Sequence, residues 1–310
     1  TYAQKTVKLI AKKEAAPSDW CYVNNFDNPA QPLSIKLPCG TGQKFKTDIH
    51  ELFLTLKHGV KKLFNSEDYE QAKNNLLRTI KEKKNEIINE FNEYSEENLI
   101  LPQWTANGFV GIPLKNDKVM TPEEYQQLPK EDRERIDIAL REVHEKSNDI
   151  MRKLQRLDRD GREELKKLDR EVGLYAVGHF IEELKEKYSA YSDVIKYLEA
   201  VKQDVLKNIN DFKAAPPEEE NNPLAFYKAF SKDNNKNKYT VNLLVDNKDC
   251  EGAPVVYEIN PTYYNLIGRV EYENRMGVVS TEYSMIKAGA IHRANGGYLI
   301  LNARDLLTNF

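Results

Sequence analysis

The chain has 310 residues, with 49 acidic against 46 basic side chains, a formal net charge of −3 and three cysteines. This near balance excludes a globally basic nucleic-acid binder, and no apolar run approaches the roughly 20 residues of a helical membrane span. Cys21, Cys39 and Cys250 are an odd count with no Cys-x-x-Cys spacing, which implies neither a disulfide framework nor a zinc site and fits a reducing cytoplasm.

In chain order, Val7 to Lys13 is amphipathic and predicts a helix, and Trp20 to Val23 is a short apolar strand entered from Pro17, Ser18 and Asp19. The stretch from Asn24 to Phe45 is rich in Pro, Asn and Gly and leads to a helix carrying Ile49, Leu52, Phe53 and Leu56. Residues 1–65 therefore read as the first part of an α/β module. From Ser66 to Phe212 the composition changes to long charged helices, interrupted near Pro102 to Pro129. Within the interruption, GFVGIPLKNDKVM predicts a small hairpin near 105–120. Thr121 then opens TPEE, a helix start with an N-cap, a first-turn proline and acidic residues at the positive helix end.

From about Lys130, apolar or small residues recur at Ile136, Leu140, Val143, Ser147, Ile150, Leu154 and Leu157, the alternating steps of a heptad seam. The phase slips at Gly161 and resumes through Leu165, Leu168, Val172 and Tyr175. Leu76, Ile80, Ile87 and Phe91 give an earlier helix a matching stripe. The expectation is an antiparallel coiled-coil arm over 66–215, inserted in an α/β domain, with its charges on a solvated face. After a Pro/Glu/Asn linker at Ala214 to Pro223, strands return at Thr240 to Val245 and Pro254 to Tyr257. Residues 216–310 thus read as the second part of the module.

The last twenty residues carry the most information about function. Tyr298 to Leu301 is a continuous apolar run behind Gly296 and Gly297, as expected of a parallel strand covered on both faces, and Asn302 ends it. Open α/β sheets hold their ligands outside the carboxyl ends of strands, so Asn302 stands where a nucleotide or metal would be met. A strand ending at a purely structural polar cap is the alternative. Gly40 to Lys44 looks like the tail of a phosphate loop but lacks its spacing, so it reads as a turn before a helix. His50 and His58 lie eight apart, without the i,i+4 partner and glutamate of a zinc protease. His292, followed by Arg293 and Asn295, falls beside the expected nucleotide edge, where a lone histidine more often packs than ligates. No Ser-His-Asp set or nucleophile elbow is visible.

The segment from Asn260 to Asp305, including NLIGR, MGVV, AGAIHRANGG and YLILNARDLL, resembles the Walker B half of the Lon-related ATP-dependent proteases. The likeness is to the soluble bacterial branch, in which a helical insertion divides the AAA+ module. DWCYVNNFDNPAQPLSIKLPCGTGQKF, GFVGIPL and TPEEYQQLP are similar to further phrases of that branch, so the likeness runs along most of the chain. A more distant likeness is to the AAA+ layout of enhancer-binding transcription activators. The resemblance implies a partial, P-loop NTPase-like three-layer α/β module with an inserted helical arm, from a protein that unfolds and degrades others.

By the same resemblance, Thr1 stands at the end of a phosphate loop and Tyr2 to Lys13 is the helix after it. The phosphate-cradling glycines and a Ser-Lys protease domain would lie outside this chain, as in a piece of a larger protein. ATP and Mg²⁺ are the cofactors implied for the parent and none for this chain alone. Asn302 and Ala303 replace the Walker B acidic pair, and Asp305 is the nearest carboxylate that could substitute. Met276, Gly277, Val278 and Val279 correspond to the loop that faces the central pore of a ring, a homo-hexamer in the parent, and grips unfolded or damaged protein substrates. Their burial in a core is the competing reading. No nucleic-acid or membrane partner is expected. A second function, from another class, is a non-catalytic client-binding or chaperone-like module with a degenerate nucleotide site.

Overall fold

A computed structural model describes residues 2–105, 108–115, 118–213, 238–275 and 278–309. In chain order, helix α1 (Tyr2–Ala11) is followed by strands β1 (Asp19–Val23) and β2 (Leu33–Leu37) and helices α2 (Thr41–Phe64) and α3 (Glu67–Glu97). Then come strands β3 (Ile100–Thr105), β4 (Gly108–Lys115) and β5 (Lys118–Val119) and helices α4 (Pro122–Gln126), α5 (Lys130–Lys187) and α6 (Ser192–Lys207). The final part holds β6 (Asn242–Val245), β7 (Val255–Glu258), α7 (Tyr263–Ile267), β8 (Gly268–Val270), β9 (Glu273–Arg275) and β10 (Val278–Ser280). β11 (Ile286–Ala288), α8 (Ala290–Arg293), β12 (Tyr298–Leu301) and α9 (Ala303–Asn309) complete it. No described helix is long and apolar enough to cross a membrane.

Two compact units divide the chain: residues 1–64 with 172–310, and Asn65–Glu171. In the first, β1 is the central strand of an antiparallel sheet ordered β2-β1-β6. The two-residue period of β1 sends Asp19, Cys21 and Val23 to a buried face, joined by Ile35 and Leu37 of β2. α2 buries Phe45, Ile49, Leu52, Leu56 and Val60, spaced by three and four residues on one helical face, and α6 buries Val194, Tyr197, Leu198, Val201 and Val205. Aromatic rings knit these elements: Phe45 meets Tyr188 edge-on at 5.4 Å, and Phe53 stacks on Tyr239 at 5.3 Å. Each fully buried side chain of this size contributes about 1.5 to 3 kcal/mol relative to exposure.

The second unit centres on Phe91, Ile100, Val143 and Ile150, with Ile87, Leu140 and Leu154 packed around them. The α3 stripe and the α5 seam meet there. Tyr69 bonds Asp169, Ile80 lies against Gly161 and Lys84 pairs with Asp158. From the first pair to the last the α3 number rises by 15 (69 to 84) while the α5 number falls by 11 (169 to 158), so α3 and this part of α5 run antiparallel. Ser66 caps α3 by accepting from Tyr69 N–H at 3.3 Å, and Thr121 and Glu124 form a reciprocal capping box on α4.

Two expectations need correction. The inserted unit ends at Glu171 and not near 215, because α6 and the end of α5 bury their apolar faces with α2 in the first unit. The seam accordingly does not continue through Tyr175, which is exposed; Ala176, Val177 and Ile181 are the buried residues there. The hairpin expected near 105–120 is formed by β4 and β5, and β4 also pairs with β3, from Ile100↔Pro113 to Thr105↔Gly108. The Pro/Glu/Asn linker lies outside the described residues.

Candidate functional site

β12 pairs with β7 in parallel, from Tyr298↔Val255 to Leu301↔Glu258, so the two strands end side by side. All four β12 residues are half-buried and not covered on both faces, because among the described residues this sheet has only these two strands. Gly297 is required where β12 begins: a Cβ there would lie 2.2 Å from the Pro254 carbonyl oxygen, which also accepts from Tyr298 N–H at 2.8 Å.

α1 lies over this pair. Its last residue, Ala11, accepts through its carbonyl from Ala253 N–H at 2.9 Å, just before β7 begins. Gln4, Lys5 and Lys8 of α1 share a cleft of about 310 Å³ with Val255, Tyr257 and Ile300. The helix thus runs antiparallel to the strands and turns its amino end toward their carboxyl ends. That is where a strand edge and a helix N-terminus together receive phosphate. Thr1 lies outside the described residues.

The carboxyl-end residues are engaged in structural bonds. Asn302 Oδ1 accepts from Arg304 N–H at 3.1 Å and the Asn302 carbonyl accepts from Leu306 N–H at 3.0 Å, which makes Asn302 the cap of α9. Asp305 is in the first turn of that helix. Glu258, at the end of β7, accepts from Asn260 N–H at 3.1 Å and meets the Arg293 guanidinium at 3.4 Å. Among the described residues no group of three or more His, Cys, Asp or Glu side chains could hold a metal ion. Glu258 was missed in the sequence although it carries the same signal as Asn302, a polar residue closing an apolar run.

His292 and Arg293 part company. Arg293 reaches the strand edge through Glu258, whereas His292 lines a different cleft of about 310 Å³ with Trp20, Tyr22, Ser34, Leu244 and Ile291. The His292 Nδ1 is enclosed there without a hydrogen-bond partner among the described residues. His292 thus shares its cleft with β1, β2 and β6 residues, while the neighbouring Arg293 bonds Glu258. Successive residues on a short helix point about 100° apart, which a linear reading cannot convert into a destination. His50 and His58 are both exposed on α2.

Between β7 and β12 the chain builds a narrow stalk. β8 pairs with β11 and β9 with β10, both antiparallel, and the Arg275↔Val278 register makes 276 and 277 the connection between β9 and β10. Glu271 N–H donates to the Met285 carbonyl at 3.0 Å, and Thr281 Oγ1 donates to the Glu271 carbonyl at 2.8 Å. The Arg269 guanidinium, 3.0 Å from Glu271, holds that carboxyl below its usual range. Val279 is 61% exposed and Tyr272 68%. Met276 and Gly277 lie outside the described residues.

The first residue of β1 is a buried acid. Asp19 is fully enclosed; its Oδ2 accepts from Gly42 N–H and its Oδ1 from Asn247 N–H, each at 2.8 Å. Gly42 lies in the first turn of α2, so the carboxylate also meets the positive end of that helix. Sequence reading assigned Asp19 only to a strand entry.

Comparison with known families matches residues 251–310 to a LonB-like AAA domain and residues 19–52 to a Lon-like LonC helical domain. The first segment holds β7 to α9, with the strand edge and the stalk; the second holds β1, β2 and the first half of α2. No curated protein matches the chain. The two matches, on separate segments of one chain and in the order the fold presents them, support a Lon-related family for this protein.

Proposed function

We propose that this chain is the polypeptide-handling part of a Lon-related ATP-dependent protease, in which the β9–β10 hairpin and its connection at Met276 and Gly277 contact extended substrate. The exposed Val279 carries the reading. An apolar side chain left in solvent on a stalk held by Glu271, Thr281 and Arg269 suits sequence-independent contact with unfolded protein. The LonB-like AAA match over the same segment supports it. In the whole protein, ring assembly would bring such hairpins around one channel, and proteolysis would follow translocation.

A second reading, a client-binding module that does not hydrolyse ATP, has its own observation. The Asn302 side chain is spent on capping α9, and neither it nor Ala303 offers a charge to Mg²⁺ or a base to water. One experiment addresses both readings: fluorescence anisotropy of labelled, reduced and carboxymethylated lactalbumin titrated with wild type, Met276→Asp and Val279→Asp, with and without MgATP. The proposal expects binding weakened about tenfold in both variants with unchanged thermal midpoints, because an exposed carboxylate stays hydrated. Unchanged binding rejects the hairpin assignment, and a large fall in midpoint shows that the valine is core. Binding that strengthens saturably with MgATP counts against the second reading.

A further inference from the structure

Cys39 and Cys250 are 211 positions apart in sequence (250 minus 39) and meet on one residue. Cys39 Sγ donates to the Asn247 carbonyl at 2.9 Å, and Cys250 Sγ lies 3.7 Å from Asn247 Oδ1. The same Asn247 carbonyl accepts from Cys250 N–H at 2.9 Å, so two 2.9 Å bonds on one oxygen cap the distance from Cys39 Sγ to the Cys250 amide nitrogen at 5.8 Å. The two backbones run close beside each other here: a Cβ on Gly40 would lie 3.7 Å from Lys248 Cα. Gly40 itself has φ of +74°, and both thiols are only half-buried, on loops and not within sheet or helix.

We propose that Cys39 and Cys250 form an oxidation site, a thiol pair that closes to an intramolecular disulfide when a small disulfide oxidant is supplied. With glutathione disulfide, the thiolate that ionises first attacks one glutathione sulfur and releases one glutathione. The second cysteine then attacks the protein sulfur of the mixed disulfide and releases the other. Two protein thiols lose two protons and two electrons, and one glutathione disulfide becomes two glutathiones. Closure requires the sulfurs to reach about 2.05 Å, which side-chain rotation and a small shift of the two loops can supply.

The electrostatics set the conditions for exchange. Burial pushes the Cys250 thiol up, and the negative charge of a Cys39 thiolate, then Asp249, would push it further. Burial, then Asp19 and Asp246, pushes Cys39 up as well, so both thiols are largely protonated near neutral pH and exchange should speed up at mildly alkaline pH. Cys21 is an internal control: it is buried in β1, with burial first and then Asp19 pushing its thiol up to about 12. The cross-link would fasten the loop before α2 to the turn before β7, the turn whose Ala253 bonds the end of α1. It would thereby tie the β2-β1-β6 sheet to the β7–β12 edge.

The test incubates the reduced full chain with glutathione disulfide at mildly alkaline pH, removes the excess, counts free thiols in denaturant on one portion, and alkylates a second portion with N-ethylmaleimide in denaturant for tryptic mass spectrometry. The expected result is a fall from the three thiols of the sequence to one, with Cys21 the survivor. A single peptide pair joining Cys39 to Cys250, lighter by two hydrogens, should form to an extent independent of protein concentration. Cys39→Ser and Cys250→Ser should each leave a glutathione adduct on the remaining partner and no cross-link. Stable glutathione adducts on both cysteines of the wild type, a cross-link that includes Cys21, or a concentration-dependent dimer would each overturn the proposal.

Discussion

Asp19→Ala should destabilise the first unit by about 3 to 5 kcal/mol. Asp19 is fully enclosed and accepts two backbone N–H bonds at 2.8 Å, from Gly42 and Asn247. Removing the carboxylate strands both donors, and each unsatisfied buried group costs about 1 to 3 kcal/mol. α2 also loses an anion at its N-terminus, worth about 0.3 to 1 kcal/mol. Relief from burying a charge offsets part of this sum of about 2 to 7 kcal/mol and brings its upper end down to about 5. For a unit of this size, 1 kcal/mol corresponds to roughly 2 to 4 °C in thermal midpoint, so the loss should read as about 10 °C. The chain has two tryptophans, so a Trp104→Phe background leaves Trp20, next to Asp19 in β1, as the sole fluorescent reporter during urea unfolding. Asp19→Asn, which keeps one acceptor, should fall between wild type and Asp19→Ala. A loss below about 1 kcal/mol with an unchanged denaturant slope would refute the clasp, because that is the range of ordinary surface changes.

In the second unit, a Cβ on Gly161 would stand 2.6 Å from Ile80 Cδ1. Gly161→Ala should therefore be neutral or destabilising alone, but stabilising by about 0.5 to 1 kcal/mol in an Ile80→Ala background, where only the helix propensity gain remains; additivity of the two changes would reject the α3–α5 register. Glu199 is held below the usual carboxylate range by its Lys185 hydrogen bond and then by Gln203. A depressed folded pKa stabilises above the unfolded value and is lost as pH falls through the folded one, so the thermal midpoint should drop more on acidification below the ordinary carboxylate range in wild type than in Glu199→Gln. The difference should be on the order of 0.5 kcal/mol after solvent screening, and parallel pH profiles would contradict it.

The sequence by itself determined the local elements whose physics is local. The capping box at Thr121 and Glu124 appears where Thr-Pro-Glu-Glu placed it, because a cap is satisfied within four residues. The apolar runs at Trp20 to Val23 and Thr240 to Val245 became β1 and β6, and the seam residues Val143, Ser147 and Ile150 are buried, because period two and period 3.5 each fix a face. The apolar run from Tyr298 to Leu301 became the parallel strand β12, half-buried and not covered on both faces as the run alone suggested.

Only the tertiary structure decided what the polar residues do, since a side chain's role depends on which distant backbone groups reach it. Asn302 looks the same in sequence as metal ligand or helix cap, and the nearby Arg304 amide settles its present bond as a cap. Glu258 joins the strand edge because parallel pairing aligns it with Leu301, and His292 lines a cleft with Trp20 that only the packing of α8 brings together. Asp19 and the Cys39–Cys250 pair were invisible for the same reason: their partners are more than twenty, and in two cases more than two hundred, residues away. The boundary at Glu171 was equally hidden, because a continuous helix carries no break in its sequence where the packing of its apolar face passes from one core to another.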